Sequence, residues 1–136
     1  MTDLNLSTGA PPDPAETRKL AETMAELARV LNHRTRHHES LRHPSDADRV
    51  VRELASMASR LPQLLEQVGS WLADEEAAGG VEVTSGQYAG RPAAAVTAAR
   101  LRLDAARLEA DELHGALEYA GHVLAELGGV EDGTDE

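Results

Sequence analysis

Apolar residues recur along this chain in strict alternation of four and three positions, and that spacing restricts the possible folds more than any other feature. Val50, Leu54, Met57, Leu61, Leu64, Val68 and Trp71 follow the pattern without a slip. Val96, Ala99, Leu103, Ala106, Ala110, Leu113, Leu117, Ala120, Leu124 and Leu127 repeat it, and Leu20, Met24, Leu27 and Leu31 form a shorter run. A mean step of about 3.5 residues keeps one face of an α-helix turned toward neighbouring helices, as in coiled coils. The pattern therefore predicts an all-α protein, an up-down-up three-helix bundle with long antiparallel helices.

Caps and breakers place the helix ends. Residues 1–12 lack any period and are expected to be a disordered leader. In Asp13-Pro14-Ala15-Glu16 the aspartate can cap, proline suits the first helical position, and glutamate can reach back as in a capping box, so helix 1 is expected over 14–40. Ser45-Asp46-Ala47-Asp48 after Pro44 offers a second cap with acidic residues in the first turn, which sets helix 2 at 45–78, closed by Gly79-Gly80. Pro62 falls inside this helix and should kink it without dividing the domain. Residues 79–91 combine glycines with a short alternating stretch at Val81 and Val83, and read as a loop with a turn or small hairpin. Pro92 opens helix 3, expected over 92–127. The bundle domain then spans 13–128, with an acidic tail at 129–136.

At 136 residues the chain suits a single domain, whose core must be built from Leu, Val, Ala and Met because there is no Phe and only one Trp. A second apolar set widens two of the stripes: Val51, Ala55, Ala58, Leu65 and Leu72 on helix 2, with Leu101, Ala105, Leu108, Ala116 and Val123 on helix 3. In a three-helix monomer each helix faces two neighbours, so the simpler reading makes this set part of the core; together with the scarcity of large aromatics it also predicts dimerisation through helices 2 and 3. Arginine greatly outnumbers lysine, which points to a GC-rich bacterial genome. A net charge of −11 argues against nucleic acid or an anionic membrane as the principal partner. Cys is absent, so disulfides and thiolate chemistry are excluded. With no long apolar stretch, the expected location is the cytoplasm.

Two constellations could carry function. His33, His37, His38 and His43 lie around the end of helix 1, and His114 and His122 lie late in helix 3. His33 with His37, and His114 with Glu118 and His122, have the four-residue spacing of metal ligands on helix faces, and an up-down-up bundle would gather them at one end. The segment from Arg29 to Arg52 is locally basic, and within it Arg34, Arg36, His37, His38 and Arg42 could bind a partner; Trp71 and Tyr88 could form a contact near the long loop. Helix-end electrostatics and a core role for Trp71 explain the same residues without any ligand. No phosphate loop, nucleophile elbow or metal-hydrolase motif is present. The sequence is therefore read as a non-enzymatic helical interaction or regulatory protein that self-associates or binds a protein partner, with no cofactor. The alternatives are a nucleic-acid accessory protein using Arg29 to Arg52 and a metal- or pH-sensing module using the histidines.

Overall fold

The computed structural model describes residues 4–130, and among these it holds three α-helices and no strand. The helices are α1 (Pro14–Arg34), α2 (Pro44–Ala77) and α3 (Pro92–Ala125), with a short 3₁₀ helix at His38–Ser40. The chain divides into two compact units, one ending at Arg42 and the other beginning at His43. Most of the acidic tail read from the sequence lies outside the described residues.

In the first unit α1 starts as its sequence requires. Asp13 Oδ1 accepts the Ala15 N–H at 3.0 Å and Pro14 occupies the first turn. Glu16, expected to reach back to Asp13, instead accepts the Asn5 N–H at 3.2 Å. The helix stops at Arg34, before the expected Ser40, because local hydroxyls take its last carbonyls. Thr35 Oγ1 donates to Leu31 at 3.0 Å, and the Arg34 carbonyl accepts the Ser40 hydroxyl and the His37 N–H. No residue of α1 is buried, and Leu20, Met24, Leu27 and Leu31 are 36–52% exposed.

In the second unit α2 is capped by a residue the sequence pattern did not single out. His43 Nδ1 accepts the Ser45 N–H at 3.1 Å, while the Asp46 carboxylate accepts the His43 N–H at 3.0 Å, which completes a reciprocal box two residues before the expected Ser45 cap. The helix continues unbroken through Pro62. It closes where the glycines predicted: Gly79 has φ +80°, its N–H bonds Glu76, and the Gly80 N–H bonds Glu75 at 2.7 Å. The connection to α3 is a series of turns, held by Gly90 N–H to the Val83 carbonyl at 2.8 Å and Arg91 N–H to Tyr88 at 2.8 Å.

The two 34-residue helices lie antiparallel against each other. Arg107 reaches Glu66 at 3.6 Å, Gly69 faces Arg100 and Leu103, and the Gly129 N–H approaches His43 Nε2 at 3.2 Å. A neutral imidazole accepts at only one nitrogen, so this last contact and the α2 cap compete for a single acceptor.

The face of α2 that meets α3 differs from the sequence expectation. Ala55, Ala58 and Gly69 are buried, with Val51, Leu65 and Leu72 half-buried beside them; apart from Gly69 these are the second apolar set, whose core reading the burial matches. Met57, Leu64, Val68 and Trp71, assigned to the core stripe, are exposed, Trp71 by 61%. On α3 the expected stripe mostly holds: Val96, Ala110 and Gly121 are buried, and Leu103, Ala106, Leu117, Ala120 and Leu124 are half-buried. The reason is steric. Two helices approach most closely where their side chains are smallest, so alanine and glycine take the contact and the larger residues beside them are displaced to its edge.

Candidate functional site

That displacement gives the hairpin two unlike flanks. At about 100° per residue, Ser56, Ser59, Gln63 and Glu66 of α2 fall on the same side of the seam as Arg107, His114, Glu118 and His122 of α3. The Glu66–Arg107 pair crosses the seam there. Met57, Leu64, Val68 and Trp71 fall on the opposite side, together with Leu113, Ala116 and Val123 of α3. All seven are exposed, and Val68 retains 44% of its surface. Leu101, Leu108 and Tyr119 lie on the outer back of α3.

An open groove of about 460 Å³ runs along the polar flank, lined by Arg52, Ala55, Ser56, His114, Leu117, Glu118, Gly121, His122 and Ala125. The missing side chain at Gly121 opens this space between the helices. His114 Nε2 lies 2.9 Å from Glu118 Oε1, as the four-residue spacing on one helix requires, and His122 stands one turn further along the same groove. Arg52 at its rim is paired with Asp48 at 3.1 Å.

The remaining sequence-designated residues lie elsewhere. His33 is in the last turn of α1, but that helix ends before His37, so these two are not a ladder on one helical face. Their rings meet edge to face with centroids 6.1 Å apart. Arg34 ends α1, Arg36 follows it in a turn, and His38 belongs to the 3₁₀ helix. Arg42 follows that 3₁₀ helix and closes the first unit. Among the described residues no three His, Cys, Asp or Glu side chains are grouped to hold a metal ion. Within the basic segment, Arg29 grips Glu26 at 2.6 Å, which lowers the Glu26 carboxyl pKa and raises that of the guanidinium. Trp71 stands on the apolar flank, while Tyr88 is half-buried in the connecting loop with the Arg91 guanidinium 5.7 Å from its ring centre.

Sequence reasoning placed Met57, Leu64 and Val68 inside the protein and so missed them as surface. The signal that could have found them was the run Ala55, Ala58 and Gly69, displaced by one or two positions from the large-residue stripe and made of the residues that permit the closest helix approach. Among the described residues no helix is long and apolar enough to cross a membrane. Comparison with protein families, with curated proteins and with solved structures gave no match.

Proposed function

We propose that the protein is a non-enzymatic helical interaction protein, and that the apolar flank of the α2–α3 hairpin is the surface through which it associates. One observation carries the reading: Met57, Leu64, Val68 and Trp71 stand exposed in a row along one side of α2, with Leu113, Ala116 and Val123 beside them, while the other side of the same hairpin is polar. Two helices make only one contact line, and here it buries alanine, glycine and valine. A second layer of secondary structure is what normally covers such a face. Trp71 at its edge combines a large apolar area with a polar N–H, the character of an interface anchor.

Val68→Glu tests the reading. Val68 is exposed on the hairpin, so the substitution leaves the seam intact and places a charge only where a covering surface would sit. Thermal melting and sedimentation of the full chain are expected to show a lower melting temperature and a smaller assembly than the wild type. A variant with the wild-type melting temperature and mass would remove the apolar flank as the working surface.

A further inference from the structure

His43 stands where the start of α2 meets the segment that leaves α3. It is the N-cap of α2, and the Gly129 N–H, 86 residues further along the chain, points at its Nε2 from 3.2 Å. The approach is close enough to need a glycine. A Cβ at Gly129 would collide with the imidazole Cδ2 and Nε2, whereas one at neighbouring Gly128 would meet nothing within 4 Å. Neither glycine has a positive φ, so space at the ring, and not backbone conformation, sets position 129 apart.

Three groups compete for the two ring nitrogens. At Nδ1 are the Ser45 N–H, at 3.1 Å, and the Ser45 hydroxyl, at 2.9 Å; at Nε2 is the Gly129 N–H. A neutral imidazole carries one N–H and one bare nitrogen, so the position of its proton decides which contacts form. With the proton on Nε2, Nδ1 accepts the Ser45 N–H and caps α2, while Nε2–H opposes the Gly129 donor. With the proton on Nδ1, the ring donates to the Ser45 hydroxyl and Nε2 accepts the Gly129 N–H, and the Ser45 N–H loses its acceptor. The Asp46 carboxylate accepts the His43 backbone N–H in either state, so half of the capping box is kept. His43 is exposed, and the donor released in each state turns to water, which keeps the two states close in free energy.

We infer that His43 is a tautomeric latch between the start of α2 and the segment that follows α3. In one state the imidazole caps the helix and releases Gly129; in the other it holds Gly129 and leaves the Ser45 N–H to solvent. The two places are coupled reciprocally. Drawing residues 127–130 away from the ring returns Nδ1 to the cap and firms the first turn of α2, and a firm cap in turn frees the segment.

The test reads the ring directly. Nitrogen NMR shifts of the His43 imidazole distinguish a protonated from a bare nitrogen, and are recorded on the full chain well above the ordinary histidine range of about 6.5. Gly129→Ala is expected to move the tautomer ratio toward Nε2–H by about two- to tenfold, the worth of one intramolecular hydrogen bond, and to slow exchange of the Ser45 amide proton. Gly128→Ala is expected to change neither. Ser45→Ala, which removes the acceptor of the Nδ1 proton, is expected to shift the ratio the same way and to speed exchange of the Gly129 amide proton. All three positions lie at or beyond a helix end, so circular dichroism of each variant is expected to match the wild type. Unchanged ring shifts in Gly129→Ala, or equal changes in Gly128→Ala and Gly129→Ala, would overturn the latch. So would a Gly129 amide that Ser45→Ala leaves unaltered.

Discussion

The two faces of α2 differ in the way residue size and hydrophobicity are used. Along the seam with α3 the residues are small, and Ala58 has no exposed surface at all; along the apolar flank they are large, and Trp71 stays 61% exposed. Hydrophobicity alone ranks the flank as the core. Close approach of two backbones ranks the seam first, because dispersion gains rise steeply as helices come together and small side chains allow it. The seam therefore holds the hairpin together, and the flank stays exposed.

Substitutions that treat the two faces alike should separate them. Ala58→Leu forces added methylenes into the seam and is expected to cost about 1–3 kcal/mol in urea unfolding, whereas Val68→Leu on the flank should stay within about 0.5 kcal/mol. Comparable costs at both positions would erase the distinction. The seam has spare room at Gly69, where a Cβ would meet Arg100 and Leu103 at 3.8 Å, ordinary contact. Gly69→Ala is therefore expected to stabilise by about 0.5–1 kcal/mol, through reduced backbone entropy of the unfolded chain. A loss there would show the helices to be packed more tightly than these distances allow.

The smallest effect concerns the exposed α1, which has no such seam. Arg29 donates to Glu26 and lowers its carboxyl pKa, so the favourable contribution of that pair is present above the ordinary carboxylate range and is lost as pH falls through the lowered value. In an NMR titration the Glu26 carboxyl should titrate below an ordinary glutamate and return upward in Arg29→Gln. Identical titration in both proteins would leave the pair without energetic weight.

Much of the fold was legible because it depends on local chemistry. Asp13-Pro14 starts a helix and Gly79-Gly80 stops one wherever they occur, since each settles orphaned backbone groups within a turn. The start of α2 was displaced because histidine is rarely read as a cap, yet the Nδ1 of His43 accepts the same N–H that an aspartate oxygen would. The early end of α1 depended on Ser40 folding back to the Arg34 carbonyl, a contact no periodicity reveals. The face of α2 was misread for a different reason. Heptad spacing reports which residues share a side, but with a wide apolar stripe the phase of closest contact is decided by side-chain volume, and Ala55, Ala58 and Gly69 contribute little to a hydrophobic count. Of the candidate site, His114, Glu118 and His122 were legible as one ladder; the groove they line also needs Gly121 and Arg52, whose roles exist only once α2 and α3 are side by side.

The proposal that the protein self-associates through its apolar flank is tested most directly by the molar mass of the wild-type protein at equilibrium in the ultracentrifuge, from micromolar concentration upward. A mass of twice the 14.5 kDa chain, falling toward one chain on dilution, is the expected result. A mass of 14.5 kDa at every concentration would contradict it.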